Sequence, residues 1–141
     1  MFEVVTTSKM LDDAYEIRKA VFVREQGVPL ENEIDQFESS ATHVIGYDEL
    51  HSPFATGRFR PYQNGAKIER VAILPTHRKS GHGKALMLFI ETVAKEQGYN
   101  MLTLNAQCHA QRFYESLGYK ASGDIFLSLI HISEPTRQEA I

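Results

Sequence analysis

The 141-residue sequence holds one cysteine, Cys108, so no disulfide can form within the chain. A lone thiol points to a reducing compartment, and the cytoplasm is the expected location. A basic excess is missing too: 15 Lys and Arg stand against 18 Asp and Glu, a formal net charge of −3. Nucleic-acid modules normally carry the opposite balance, which argues against that class. No apolar run approaches the roughly 20 residues that span a bilayer. Residues 1–9 lack the basic start and apolar stretch of a secretory signal. No membrane partner is therefore expected. Repeats, low-complexity linkers and metal-ligand spacings are also lacking. What is present is ordinary for one globular domain: 43% apolar and 23% charged residues, enough for a real core.

The periodicities predict a mixed architecture. Residues 2–6 are rich in β-branched side chains and read as a strand. Leu11, Ala14, Ile17, Val21 and Phe22 recur at helical spacing, so residues 10–24 read as an amphipathic helix closed by Gly27 and Pro29. Residues 31–40 read as an acidic loop or short helix, and residues 43–47 and 54–60 as strands. Asn64-Gly65 is a two-residue hairpin signal leading into a strand over 67–74. From 81 to 97, Ala85, Leu86, Phe89, Ile90, Val93 and Ala94 mark one face of a long helix, with Glu91 and Lys95 as an i,i+4 pair on the other. Residues 101–106 read as a strand, 110–117 as a short helix and 119–126 as a last strand.

Chemistry concentrates where the strand over 67–74 meets the long helix. Gly81 and Gly83 let backbone N–H groups approach an anion. The helix start adds unpaired N–H groups and its positive dipole end, and Arg78, Lys79 and Lys84 add full charges. Spacing excludes two phosphate motifs. A P-loop needs glycine where Arg78 stands and a hydroxyl where Ala85 stands, and a dinucleotide fingerprint needs a small residue at Leu86. Solvated basic residues at a glycine-rich helix start remain the bland alternative.

Arg78-x-x-Gly81-x-Gly83, following a strand that ends Val71-Ala72-Ile73, resembles the coenzyme A loop of the GNAT superfamily of N-acetyltransferases. The segments 18–29, 67–73, 104–107 and 113–119 resemble the small ElaA/YjcF-like branch, and the likeness spans residues 1–126 in order. It implies a mixed α/β (α+β) domain with a mostly antiparallel sheet, helices on both faces and a splayed parallel strand pair at the cofactor site. It implies acetyl-CoA as cosubstrate, no metal, and direct transfer to a primary amine of a small molecule or peptide, by a monomer or homodimer. Backbone groups of Val71, Ala72 and Ile73 would take the pantetheine arm. Arg78, Lys79, Ser80, Gly81, His82, Gly83 and Lys84 would hold the pyrophosphate, mostly through N–H.

The transfer moves protons twice. An alkyl amine has a pKa near 10, so only about one molecule in a thousand is neutral at pH 7, and a base helps. The leaving thiolate needs a donor. Tyr114, within Phe113-Tyr114-Glu115-Ser116-Leu117-Gly118-Tyr119, matches the family tyrosine that supplies it; a core tyrosine beside Phe113 is the alternative. Glu69 is the candidate base, because strict alternation puts it on the face of Val71 and Ile73; a salt bridge with Arg58 is its alternative. His43 and His109 are rivals. Asn105, at the end of the next strand, would bond the pantetheine or the acceptor. Cys108 and His109 are adjacent and do not face each other on a helix. Glu25, Glu31, Glu33, Asp35 and Glu38 form an acidic string suited to attract a cationic amine, or a solvated loop.

Residues 127–137 (Leu-Ser-Leu-Ile-His-Ile-Ser-Glu-Pro-Thr-Arg) depart from the family pattern. They resemble a one-frame translation of a transposase adapter used in sequencing libraries. The expectation is a domain over 1–126 with a non-native tail over 127–141 and loss of the native end of the last strand. Two other functions stay open: a non-catalytic acyl-CoA-binding regulatory module on the same fold, and a nucleotide-binding protein of another fold.

Overall fold

Thr7 starts the first helix. Its backbone is extended at φ −129°, ψ 159°, and its Oγ1 accepts the Met10 N–H at 3.1 Å, a cap worth about 1 kcal/mol. The computed structural model describes residues 1–30, 34–105 and 110–121, and the backbone of 126–130. Helix α1 runs Ser8–Arg18. Residues 10–24 were expected to form one α-helix, but Lys19–Glu25 is a π-helix, in which Gln26 N–H bonds Val21 O at 3.0 Å. The wider turn breaks the 3.6-residue period that the apolar spacing suggested.

Among the described residues, seven strands form one sheet. They are β1 Phe2–Val4, β2 Thr42–Tyr47, β3 Pro53–Tyr62, β4 Gly65–Ile73, β5 Met101–Asn105, β6 Lys120–Ala121 and β7 Phe126–Ile130, in the order β1-β2-β3-β4-β5-β7-β6. Neighbours are antiparallel except β4 and β5, which run parallel. Helix α2, His82–Glu96, follows a short 3₁₀ turn at Pro75–His77, and helix α3 is Gln111–Ser116.

The two sheet faces are covered by different helices, as expected. Leu86, Met87, Ile90 and Ala94 of α2 pack with Val44, Phe54, Ile68, Leu102 and Leu104. Ala14, Ile17 and Val21 pack with Ile45 and Ala72 on the other face. Full burial of each Leu or Ile here stabilises by about 1.5–3 kcal/mol. Glu91 departs from its expected place on the outer surface of α2. It is 3% exposed and its Oε2 accepts the Tyr119 hydroxyl at 3.1 Å, which ties α3 and its following residues to α2.

Two segments differ from the reading of the sequence. The β3–β4 hairpin turns on Gln63 and Asn64, because Tyr62 pairs with Gly65, and Gln63 itself takes φ +51°. Gly65 serves another purpose: a Cβ there would overlap the Met101 carbonyl at the start of β5. The single strand expected over 119–126 is instead β6 and β7. β7 pairs with β5 along its whole length, from Asn105↔Phe126 to Met101↔Ile130. Residues 127–130 thus fill the strand position expected to be lost. Ladder hydrogen bonds are main-chain bonds, so an extended run without proline suffices.

Gly65→Ala should destabilise the fold by roughly 1–3 kcal/mol through that overlap. Urea unfolding with an unchanged slope and a lower midpoint would show it; an unchanged midpoint would mean that β5 can yield.

Candidate active site

β4 and β5 are paired only over Ala66↔Leu102, Lys67↔Thr103 and Ile68↔Leu104. β4 continues for five more residues, to Ile73. On its other side Arg58 pairs with Glu69 and Thr56 with Ala72, which leaves Gly57 opposite both Arg70 and Val71. This is a β-bulge, and Arg70 sits in it with φ +57°. A bulge bends and twists its strand. The two parallel strands separate one residue before it, and a cleft of about 230 Å³ opens between them, with Phe22, Gln26, Glu69, Arg70, Val71, Asn105 and Tyr114 among its walls.

The bulge corrects one expectation. Alternation placed Glu69, Val71 and Ile73 on one face. The extra residue reverses the phase: Val71 and Ile73 pack with the α2 cluster, whereas Ala72 packs with the α1 cluster. Glu69 reaches the cleft from the side of the arginines on β3.

Those arginines form a buried charge network. Arg58 is fully buried. Its guanidinium donates to Asp35 at 2.9 and 2.7 Å and to Glu69 at 2.9 Å, and lies 3.0 Å from Glu38. Arg60 donates to Glu69 at 2.8 and 3.2 Å and stacks on Phe37. Arg18 binds Glu38 through two hydrogen bonds, at 2.9 and 2.8 Å. Burial pushes the Glu69 carboxyl up, but the hydrogen bonds and charges of Arg60 and Arg58 outweigh it and hold it below the usual range. Glu38 is lowered in the same way against its burial, chiefly by Arg18. The hydrogen bonds of Arg58 hold Asp35 far below its ordinary value. The ion pair foreseen between Glu69 and Arg58 therefore exists, and Glu69 lines the cleft as well.

Where it is described, the acidic string is paired with arginines. Asp35 and Glu38 are taken up by Arg58, Arg70 and Arg18. Glu25 binds Arg78 through two hydrogen bonds, at 2.8 and 2.7 Å. Glu31 and Glu33 lie outside the described residues, as do His109 and Cys108. His43 is buried on β2 with its Nε2 2.8 Å from Glu38 O; burial lowers its pKa, and it does not line the cleft.

The glycine loop stands beyond the end of β4. Gly81 is the N-cap of α2 at φ +84°, and no side chain caps the helix. Ala85 N–H is the first to bond back, to Gly81 O at 3.1 Å. The N–H groups of His82, Gly83 and Lys84 thus have no intrahelical acceptor, and the helix dipole favours an anion there. A Cβ at Gly83 would come within 3.3 Å of Phe113 and 3.7 Å of Ile73, so the loop, α3 and β4 meet at this glycine. Ser80 Oγ donates to His77 O at 3.1 Å and closes the turn.

Arg78 does not add a free charge at the loop. Besides Glu25, it donates from Nε to Ile73 O at 2.9 Å, one of the backbone groups expected to meet the pantetheine arm. Lys79, at φ +65°, and Lys84 are the exposed cations here. The structure also brings His77 into this region: its ring stacks on Phe54, 4.7 Å between centroids, and its Nε2 lies 3.0 Å from Asp48.

Tyr114 stands in the cleft opposite Val71 and Glu69, packed against Phe113 and Tyr119. Burial raises its pKa above the usual phenol value, so it stays protonated. Asn105 is exposed at the end of β5, on the cleft's other wall. Phe22, Gln26 and Arg70 are among the lining residues that were not read as functional from sequence. Phe22 counted as helix core, but the π-helix turns it to the cleft. Gln26 lies within the 18–29 segment that resembles the family branch, but no role was assigned to it. Arg70 has no glycine signal for its left-handed backbone.

Arg58→Ala would leave Asp35, Glu38 and Glu69 with Arg70, Arg18 and Arg60 as their remaining arginine partners and should cost about 3 kcal/mol in denaturant unfolding, the low end for a broken buried ion pair. The wild type gains stability above the unfolded carboxyl values and loses it as pH falls below roughly 4.5, because Asp35, Glu38 and Glu69 are all depressed. That acid loss should be shallower in the variant; an equally steep one would place the pH dependence elsewhere.

Residues 10–128 match a family model described as an acetyltransferase (GNAT) domain. The uncharacterised N-acetyltransferase YjcF of Bacillus subtilis is 38% identical over 117 residues, covering 83% of each chain. Escherichia coli ElaA superposes with a TM-score of 0.76 at 23% identity, over 91% of this chain and 99% of that one. An aminoglycoside 6′-N-acetyltransferase complexed with coenzyme A superposes with a TM-score of 0.78 at 16% identity, over 96% of this chain and 99% of that one. Among the described residues no helix is long and apolar enough to cross a membrane. The family match, the splayed β4–β5 pair and the glycine-capped α2 agree, and the chain belongs to the GNAT acetyltransferase family, in its ElaA/YjcF-like branch.

Proposed function

We propose that the chain transfers an acetyl group from acetyl-CoA directly to a primary amine of a small molecule or peptide. The observation that carries this is the cleft between β4 and β5, which brings Tyr114, Glu69 and the unpaired edge at Val71 together. The CoA-bound neighbour supports a coenzyme A cosubstrate. Unpaired N–H groups of His82, Gly83 and Lys84, with Lys79 and Lys84 as exposed cations, suit the pyrophosphate; backbone groups at Val71 to Ile73 suit the pantetheine arm. Ser80 and the Arg78–Glu25 pair shape the loop rather than supply its charge.

The proton balance follows from the two ionisable groups in the cleft. An N–C bond forms as the C–S bond breaks. The acceptor, starting as an ammonium, sheds two protons; the thiolate gains one, and one goes to solvent. Tyr114, held protonated by burial, gives its proton to sulfur and is reloaded. Glu69 is an anion at neutral pH and takes the amine's protons directly or through water. Its lowered pKa makes it a transient carrier that passes them on, since a weak base binds a proton only briefly.

Tyr114→Phe should lower kcat by about 10²–10⁴-fold with KM for acetyl-CoA nearly unchanged, measured as thiol release across an amine panel. Undiminished turnover would remove Tyr114 from the mechanism. Calorimetry should show binding of acetyl-CoA and CoA but not of ATP. Tight acetyl-CoA binding with no turnover of any amine would favour the non-catalytic regulatory module.

A further inference from the structure

Glu69 and Arg70 are consecutive, and in a regular strand consecutive side chains point to opposite faces. Here both line the same cleft, because Arg70 lies in the bulge with φ +57°. A non-glycine residue in that region carries backbone strain, and its result is a negative and a positive residue side by side along the cleft. Both charges are held in place. Glu69 is gripped by Arg58 and Arg60, and Arg70 is anchored by Asp35 Oδ2 at 3.0 Å, itself bound to buried Arg58. Among the described residues no third charged side chain lines the cleft; its other polar walls are Gln26, Asn105 and Tyr114.

We propose that the acceptor is a small zwitterion, a primary amine carrying a carboxylate, with its ammonium drawn to Glu69 and its carboxylate bound by Arg70. This rests on the acyl-transfer reading above and names the substrate class for it. A guanidinium attracts a carboxylate through charge-assisted hydrogen bonds. A diamine would instead bring its second ammonium against Arg70, an unfavourable like-charge contact.

The test is thiol release from acetyl-CoA with a panel of L-amino acids, their carboxamides, the corresponding decarboxylated amines and linear diamines, compared at equal concentrations of unprotonated amine. The expected result is a kcat/KM at least tenfold higher for amino acids than for their uncharged counterparts. Arg70→Gln should flatten that ratio by raising KM for the amino acids, and Arg70→Lys should restore part of it; a general loss of fold would lower all rates and leave the ratio. Equal or better turnover of decarboxylated amines or diamines by the wild type would overturn the zwitterion assignment alone, as would an unchanged ratio in folded Arg70→Gln. If acetyl-CoA binds but no acceptor of any class releases thiol, the acyl-transfer reading fails and this assignment fails with it. The wild-type panel decides the matter even if both variants are unstable.

Discussion

Opposite Gly57, strand β4 carries two residues where a regular ladder has one, and the site depends on that extra residue. Up to Ile68, β4 is a sheet strand paired with both neighbours. After it, β4 keeps β3 but has left β5. The bulge is tolerated because its partner is glycine: a Cβ at Gly57 would come within 2.9 Å of Ile90 and 3.5 Å of Val71. The core packing of α2 therefore reaches the bulge directly. The phase reversal then sends Val71 and Ile73 into that core while Glu69 and Arg70 stay at the cleft.

The buried arginines give this arrangement its rigidity. Isolated charges of this kind would be costly to desolvate, and removing one partner of a buried pair is more harmful than the pair is beneficial. Arg58 is instead surrounded by Asp35, Glu38 and Glu69, drawn from β4 and from residues 34–41. The network fixes where Glu69 points and anchors Arg70. The same electrostatics that lower the Glu69 pKa make it an oriented anion rather than a strong base. Tyr114 is tuned the other way, since burial alone keeps its proton on.

The cofactor end obeys a simpler rule. Helix α1 closes its N-terminus with Thr7, whereas α2 begins on Gly81 with no side-chain cap. An uncapped start leaves N–H groups for an anion. Glu25 and Arg78 link this loop to the π-helix, and so connect the two ends of the site across 53 residues of sequence.

Sequence by itself determined the mixed α/β class and the strand–glycine loop–helix unit at 67–97, while the family resemblance singled out Tyr114, which lines the cleft. These are local: apolar period, glycine placement and motif order act within a few residues, so they can be read along the chain. It also placed Glu69 beside Arg58, since facing strands of a hairpin bring such pairs together. Only the tertiary structure decided which way the residues after Glu69 face, that Arg70 and Phe22 line the cleft, that Gly65 makes room for Met101, and that Asp35 and Glu38 pair with arginines. The bulged residues themselves, Arg70 and Val71, are not glycines, the π-helix hides within an apolar helical pattern, and an acidic string looks the same whether its partners are water or buried guanidinium groups. Each of these depends on contacts between segments far apart in sequence, where burial and register, not local propensity, set the energy.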